Sequence, residues 1–254
     1  MTTHLVIPDP HSHYLHNNER ATWLSKLIAD VKPDVVVNLG DQADMPSLSG
    51  YDKGKHTFNG RTYRADIEAS LDFSERLWSP LRRRKKKLPR KVFLIGNHEE
   101  RIGRVLNLQP ELEGAIGYND LSLEDDYDEV VYYDGNTPGS ITIDGISYAH
   151  YFITGVSGRP ITSDVSPAAA LLAKNLSSST VGHSHLLDYS VRTNAVGQKM
   201  MGLAAGCFID YHVDWAGETN RLYSRGIAIC RNVDQGSYDL QWCSIDSLRK
   251  EYGQ

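Results

Sequence analysis

Three short apolar runs, each followed closely by an oxygen-bearing side chain, constrain the fold of this chain most. They are Leu5–Ile7 before Asp9, Val35–Leu39 before Asp41, and Val92–Ile95 before Asn97. Runs of this length predict buried strands. Apolar residues at helical spacing between Asn17 and Pro33 predict a helix, and a strand-helix-strand unit favours parallel pairing with a right-handed crossover. Because parallel strands end at one edge of a sheet, the sequence predicts an α/β fold with these side chains at that edge.

Two further motifs supply imidazole groups at predicted strand ends. His150 ends the second strand of a hairpin predicted around Asp144-Gly145, and another histidine motif follows Thr180-Val181. The ordered set is Asp9-Pro10-His11, Gly40-Asp41, Gly96-Asn97-His98-Glu99, His150 and Gly182-His183-Ser184-His185. One such motif occurs by chance in many chains, but the ordered set at strand ends indicates a metal site. Oxygen and imidazole ligands suit Mn, Fe, Ni and Zn without distinguishing them.

These motifs resemble those of the calcineurin-like metallophosphoesterase superfamily, which includes phosphoprotein phosphatases, nucleotide phosphodiesterases and nucleases. Segments 41–48 and 155–160 are most similar to phage-encoded members. The resemblance implies an α/β fold of four layers, in which two mixed β-sheets pack face to face with helices outside. A single domain over residues 1–254 is expected, with a basic helical insertion at about 45–90.

The resemblance also implies a ligand set for two divalent metal ions. Asp9, His11 and His185 would hold the first ion, Asn97, His150 and His183 the second, and Asp41 would bridge both. Mn is the expected metal, with Fe, Ni or Zn as alternatives. Since imidazoles bind metal when neutral and carboxylates when ionised, activity is expected to fall at acid pH.

Other residues are expected to act beside the ions. By resemblance His98 is not a ligand and would protonate the leaving oxygen or stabilise the phosphoryl charge, a role that suits histidine. Asp44 would hold His98 in the needed tautomer. In many family members an arginine follows that aspartate, whereas Met45 stands here, so Arg159 or another cation would supply the phosphate contact. The remaining candidate substrate contacts are Asn97 and His13, and the alternative for His13 is a loop histidine.

The motifs together predict a dinuclear metal-dependent phosphoesterase that cleaves phosphodiesters of DNA, RNA or nucleotides by attack of a metal-bound hydroxide. The alternative enzyme is a phosphomonoesterase acting on phosphoproteins or metabolites. A noncatalytic module that keeps the fold and binds nucleic acid or a partner is the alternative from another class. Lost ligands would mark such a module, and a complete set is present here. The substrate, the physiological metal and the oligomeric state stay open.

Charge is distributed unevenly along the chain, although the net charge is only −5. Residues 51–91 contain 13 Lys and Arg against 5 Asp and Glu, which leaves 14 basic and 27 acidic side chains elsewhere. The residues from 82 to 87 are consecutive cations and follow a helix predicted around 63–81. Such a run is either a solvated helix end or a surface that draws a polyanion toward the metal ligands.

Composition places the chain among globular proteins, with 40% hydrophobic and 23% charged residues. No apolar stretch approaches the length of a membrane span, and the first residues lack the pattern of a signal peptide. Cys207, Cys230 and Cys243 are widely spaced, which suits reduced thiols. We therefore expect a cytoplasmic protein without a membrane partner, in the host cytoplasm if the chain is phage-encoded.

Overall fold

The computed structural model describes residues 1–156, 158–163 and 165–253, so Ser157 of the phage-like segment lies outside the described residues. Its strands are β1 Thr2–Ile7, β2 Val35–Asn38, β3 Arg90–Leu94, β4 Glu129–Val131, β5 Ser140–Ile143, β6 Ile146–Ala149, β7 Ser179–Val181, β8 Leu187–Thr193, β9 Lys199–Ala205, β10 Gly226–Asp234 and β11 Ser237–Ser244. Its α-helices are α1 Glu19–Val31, α2 Tyr63–Arg83, α3 Glu100–Leu108, α4 Leu123–Asp126, α5 Pro167–Asn175 and α6 Ile245–Tyr252. Short 3₁₀ segments cover Pro46–Leu48, His56–Phe58, Pro110–Leu112, Tyr118–Leu121 and Asp214–Leu222.

The first sheet has the strand order β11-β10-β1-β2-β3-β4. Strands β1 to β4 are parallel, and β10 and β11 extend the sheet with antiparallel pairing beside β1. Ile7 lies opposite Asn38, and Asn38 lies opposite Phe93, so β1, β2 and β3 end at the same edge. This edge, called the carboxyl edge below, is where the predicted ligand loops leave the sheet.

The second sheet has the strand order β5-β6-β7-β9-β8 and packs face to face against the first. Strands β6, β7 and β9 are parallel, with β5 and β8 antiparallel at the two edges. Val6, Val37 and Leu94 of the first sheet share one buried cluster with Tyr148 and Leu203 of the second. The predicted pair of mixed sheets is confirmed.

Helices cover the outer faces of both sheets. Because side chains alternate along a strand, Leu5 and Ile7 of β1 face away from the second sheet and pack with residues of α1, α2 and α6. On the opposite side of the molecule, Leu171 of α5 packs with Val181 and Ala204 of the second sheet. The layered α/β arrangement is thus confirmed. None of the helices in the described ranges is long and apolar enough to cross a membrane.

Helix α2 carries the basic run to the edge of the first sheet opposite the predicted ligands. Thr62 caps this helix by accepting a hydrogen bond from Ala65 N, and the helix continues to Arg83. The chain then turns and begins β3 at Arg90, so the run lies at the amino edge of the parallel strands. Of the two alternatives for the run, its placement does not support a surface beside the metal ligands, because a helix antiparallel to the next strand ends where that strand begins.

Candidate metal centre

The predicted ligands converge at the carboxyl edge. Asp9 and His11 follow β1, Asp41 follows β2, Asn97 follows β3, His150 follows β6, and His183 and His185 follow β7. All of them are buried except Asn97 and His183, which are half-buried. Side chains of these types are seldom buried without partners, so their convergence indicates a functional site.

Strained backbone is concentrated in the ligand loops. The φ angles of Asp9, His11, Asp41, His183 and His185 are 40°, 45°, 52°, 64° and 60°. A residue with a side chain pays about 1–3 kcal/mol for such a conformation, and it persists only where the surroundings impose it. One restraint is visible between two loops, where His11 N donates to Asp41 O at 2.8 Å. Strain of this kind is typical of functional sites.

Asp9, His11 and His185 form the first donor group. His185 Nε2 lies 3.4 Å from Asp9 Oδ2 and 3.1 Å from His11 Nε2. Two ring nitrogens that face each other either share one proton or direct two lone pairs at a common cation. Asp9 Oδ1 is buried and has no hydrogen-bond partner among the described residues. Burial raises the pKa of Asp9 to about 7, although the charge of His150 acts in the opposite direction.

Asn97, His150 and His183 form the second donor group. Asn97 Oδ1 lies 2.9 Å from His150 Nε2 and 2.7 Å from His183 Nδ1, and these two nitrogens are 3.3 Å apart. His150 Nδ1 donates to Leu39 O at 2.8 Å, which directs Nε2 into the group. Burial, with the charge of His150, lowers the pKa of His183 to about 3 and keeps that ring neutral, as metal ligation requires.

Asp41 lies between the two donor groups. Its Oδ2 is 3.8 Å from His11 Nε2 and 3.3 Å from His150 Nε2, while Oδ1 accepts a hydrogen bond from His98 N at 2.8 Å. Burial opposes ionisation, but the imidazoles of His150 and His98 hold the pKa of Asp41 well below its usual range. Against burial, the same carboxylate raises the pKa of His150 to about 9. An ionised carboxylate in this position could bridge two cations.

Glycine precedes two of the ligands because the backbone there approaches a carboxylate. A Cβ atom at Gly96 would lie 2.2 Å from Asp41 Oδ1, and one at Gly182 would lie 2.2 Å from Asp9 Oδ1. Both distances are far below a normal carbon–oxygen contact. Any larger residue at either position would therefore displace a ligand.

Both ring nitrogens of His98 are in contact with neighbours at the rim of the cluster. Nδ1 donates to the backbone O of Asp44 at 2.6 Å, and Nε2 lies 3.2 Å from Arg101 Nη2. Because a guanidinium can only donate, Nε2 is the acceptor in this contact. His11, Asp41 and His98 also form a third group close enough to hold an ion. The positive guanidinium beside Nε2 disfavours a metal ion there, so we keep His98 outside the ligand set.

Asp44 contacts His11 as well as His98. Its Oδ1 accepts a hydrogen bond from His11 Nδ1 at 2.7 Å and lies 3.1 Å from His98 Nδ1. Although burial acts in the opposite direction, these bonds hold the pKa of Asp44 well below its usual range. The carboxylate therefore directs His11 Nε2 into the first donor group. From the sequence, only the contact with His98 was predicted.

Glu99 connects the ligand loops, a role that was not predicted from the sequence. It is fully buried; Oε1 accepts from Ala43 N at 2.8 Å, and Oε2 accepts from Asp41 N at 2.9 Å and from Gly96 N at 3.0 Å. Burial, followed by the charge of Asp41, raises the pKa of Glu99 to about 7. Its place inside the third motif was the only sequence indication of this role.

Two arginines near the site had no recognisable sequence pattern. Arg20 of α1 is fully buried and donates to Pro10 O at 2.8 Å and Phe208 O at 2.9 Å, which fixes the first ligand loop. Arg101 of α3 donates through Nη1 to the backbone O of Asp44 at 2.9 Å and of Met45 at 3.0 Å. Arg101 thus places a cation close to Met45.

The two predicted substrate contacts outside the ligand set differ in placement. His13 Nε2 lies 3.8 Å from Asp44 Oδ2, and burial lowers the pKa of His13. Arg159 is exposed after β6, and no hydrogen bond or ion pair joins it to another residue in the described ranges. The structure brings His13 to the site but places Arg101, not Arg159, beside His98. The substrate roles of His13, Asn97 and Arg159 stay predictions.

The clustered Asp and His side chains could hold metal ions. Ligand atoms of Asp9, His11 and His185 lie within 4.8 Å of one another, as do those of Asp41, His150 and His183, and the amide oxygen of Asn97 contacts His150 and His183. The unpartnered Asp9 Oδ1 and the facing nitrogens of His11 and His185 are the features that bound cations would satisfy. Carboxylate, amide and imidazole donors suit Mn, Fe, Ni or Zn.

Comparison with known proteins gives structural likeness only. No protein-family model and no curated protein matches the chain. One crystal structure has a TM-score of 0.46 and 10% sequence identity, covering 96% of this chain and 99% of its own. The structure of TT1561 of Thermus thermophilus has a TM-score of 0.41 and 11% identity with the same coverage. Both TM-scores are below 0.5, so neither likeness carries a functional argument.

Proposed function

We propose that this chain is a dinuclear metal-dependent phosphoester hydrolase of the calcineurin-like metallophosphoesterase type. The observation that carries the proposal is the position of the Asp41 carboxyl group between two donor groups, each built from loops at the carboxyl edge. The ordered motifs support the same assignment through their resemblance to that superfamily.

Each donor group would hold one ion, with Asp41 shared between them. The ligand sets are Asp9, His11 and His185 for one ion, and Asn97, His150 and His183 for the other. When bound, two such ions would lower the pKa of a water molecule and neutralise charge on the phosphate oxygens. Manganese is the metal we propose to test first.

His98 and Arg101 would act directly on the phosphoryl group. His98 would give a proton from Nε2 to the leaving oxygen, while the Asp44 backbone O accepts from Nδ1 and the nearby Asp44 carboxylate stabilises the imidazolium. Arg101 Nη2 can face Nε2 only while that nitrogen has a free lone pair. Protonation of Nε2 would release this N–H of Arg101 to bind a phosphoryl oxygen.

We infer that the substrate is a phosphodiester of nucleic acid or a nucleotide. Aromatic and imidazole rings flank the site next to Asp44: His16 stacks on Tyr211 with centroids 3.8 Å apart, and His13 stacks on Tyr14 at 4.6 Å. Tyr211 is tied to the ligand loop because its hydroxyl donates to His11 O at 2.6 Å. Planar rings beside a phosphate site could stack on a base.

The test uses metal-stripped protein refilled with Mn, assayed on bis-p-nitrophenyl phosphate and on p-nitrophenyl phosphate. We expect faster cleavage of the diester, and a loss of about 10²–10⁴-fold in turnover for His98→Ala. The exposed His56 provides the control His56→Ala, which should leave turnover unchanged. Calorimetry should show that His98→Ala still binds Mn.

The outcomes separate the candidate functions. Faster cleavage of the monoester would replace the phosphodiesterase with a phosphomonoesterase. Mn binding without turnover on either substrate would exclude hydrolysis of these esters and favour the noncatalytic binding module. If Mn does not bind at all, the metal centre itself is wrong.

A further inference from the structure

A cationic groove opens at the amino edge of the first sheet. It has a volume of about 760 Å³ and lies between the carboxyl ends of α1 and α2 and the starts of β2 and β3. Its basic lining residues are Lys32, Arg84, Lys86, Lys87, Arg90 and Lys91. Strand β3 separates the groove from the metal centre by about 16 Å, since a strand rises about 3.3 Å per residue. The groove is therefore a separate site.

Much of the positive charge at the groove is not neutralised within the protein. Arg90 pairs with Glu129 and Lys91 with Asp128. Arg82 and Arg83 at the end of α2 also have acidic partners, namely Glu75 and Asp126. In the part of the chain that the structure describes, the cations that form no ion pair here are Lys32, Arg84, Lys85, Lys86 and Lys87. A role as a helix end accounts for Arg82 and Arg83, and for Lys32 and Arg84 as the C-cap residues of α1 and α2, but not for Lys85, Lys86 and Lys87.

The floor and shape of the groove indicate what it would recognise. Ile28, Leu81 and Leu88 form an apolar floor, and the described lining contains no aromatic side chain. Bases are bound by stacking on aromatic rings, so this lining offers them no platform. Exposed lysines and arginines spread along a chain segment instead match successive phosphates of a backbone. A single small phosphate would be held better by one buried cluster of donors than by this row.

We propose that the groove binds the phosphodiester backbone of a nucleic acid without reading its sequence. Its cations would neutralise successive phosphates and release their counterions, while the apolar floor contacts the sugars. This binding does not rest on the proposed hydrolysis, since neither metal ions nor the ligands at the carboxyl edge take part. The positive charge of segment 51–91 contrasts with the rest of the chain, which carries 27 acidic against 14 basic side chains.

The experiment measures fluorescence anisotropy of a labelled oligodeoxythymidine of about 15 nucleotides, with EDTA present to exclude the metal centre. The groove variant combines Arg84→Ser, Lys85→Ser, Lys86→Ser and Lys87→Ser. The matched control removes the same charge from other exposed positions, with Lys53→Ser, Lys174→Ser, Arg192→Ser and Lys199→Ser. Because all of these side chains are exposed, thermal unfolding should be unchanged in both proteins.

We expect the groove variant to lose at least about tenfold in affinity, while the control loses less than about twofold. For wild-type protein, the slope of log K for binding against log salt concentration should be about −3. This value corresponds to about four contacted phosphates, at about 0.7 for each phosphate of a single strand. Equal losses in the two variants would overturn the proposal by showing a net-charge effect only. The second contrary outcome is that inorganic tripolyphosphate binds as tightly as the oligonucleotide and that affinity does not increase with the length of the oligonucleotide. In that case the ligand is a small polyphosphate and the nucleic-acid assignment is wrong.

Discussion

The two edges of the first sheet use charge in opposite ways. At the carboxyl edge, acidic and imidazole groups are buried, contact one another within 4 Å and lie on strained backbone. At the amino edge, the lysines and arginines other than Lys91 are exposed, and several form no ion pair with any described residue. The same parallel strands connect the buried acidic and imidazole groups to the exposed cations, because loops leave a parallel sheet at its two ends.

This difference follows from the dielectric environment. Buried charges interact strongly because water does not screen them, so small displacements carry large free energies. Exposed cations are screened by salt, and each contributes little. Single substitutions should therefore have large effects at the carboxyl edge, whereas the amino edge should respond to salt and to several substitutions together.

The largest effect is expected for Asp41→Asn. This change keeps the shape and an acceptor for His98 N but removes the charge between the two donor groups. Mn affinity should fall by more than about 100-fold, beyond the 10–100-fold typical of a partner outside the ligand set. Calorimetry measures this, with Asp125→Asn, at an exposed position of α4, as the control. Unchanged Mn affinity would contradict the bridging position of Asp41.

Arg101→Ala should lower kcat/KM for the diester by about 10–100-fold, or about 1.4–2.7 kcal/mol. Arg101 touches His98 Nε2 and is the guanidinium proposed to bind a phosphoryl oxygen. Arg104→Ala, at an exposed position of the same helix, is the control. Steady-state kinetics with Mn provide the measurement. If Arg101→Ala and Arg104→Ala have the same kcat/KM for the diester, Arg101 has no part in binding phosphate.

Gly182→Ala should destabilise the metal-free protein by about 1–3 kcal/mol, because the new Cβ would overlap Asp9 Oδ1. The displaced carboxylate should also bind Mn more weakly. Gly50→Ala is a matched control, since a Cβ at Gly50 meets nothing within 4 Å. Urea unfolding with EDTA provides the measurement. Equal stabilities of the two variants would show that the ligand loop accommodates the new Cβ atom without loss of stability.

The smallest effect is expected for Asp66→Asn, and it should be stabilising. Burial raises the pKa of Asp66 to about 6. Between its ordinary pKa and this value the folded state binds more protons than the unfolded state, so stability falls as pH rises through that window. The neutral amide removes this cost and can still accept the hydrogen bond from Ser47 N.

We therefore expect Asp66→Asn to raise the free energy of unfolding by about 1–2 kcal/mol at neutral pH and not to raise it near pH 4. Urea unfolding of the metal-free protein at the two pH values tests this. The exposed Asp125→Asn should change neither value. A gain of the same size at both pH values would mean that ionisation of Asp66 is not the cause.

Much of the layered fold could be predicted from the chain because its elements are marked locally. The apolar runs before Asp9, Asp41 and Asn97 predicted β1, β2 and β3, and the helical spacing between Asn17 and Pro33 predicted α1. The contacts of Arg20 could not be predicted in this way. Arg20 reaches Phe208 O, a partner 188 positions away in sequence, and nothing near Arg20 indicates that contact.

The sequence by itself determined which side chains stand at the strand ends, because strand ends and glycine-bearing loops are local properties of the chain. Tertiary structure decided that Asp41 lies between the two donor groups, that Asp44 contacts His11 as well as His98, and that Arg101 faces His98. It also decided that the basic run lies at the amino edge, away from the metal centre. Distances between loops depend on strand order and sheet packing, which bring together residues far apart in sequence, so no local pattern contains them.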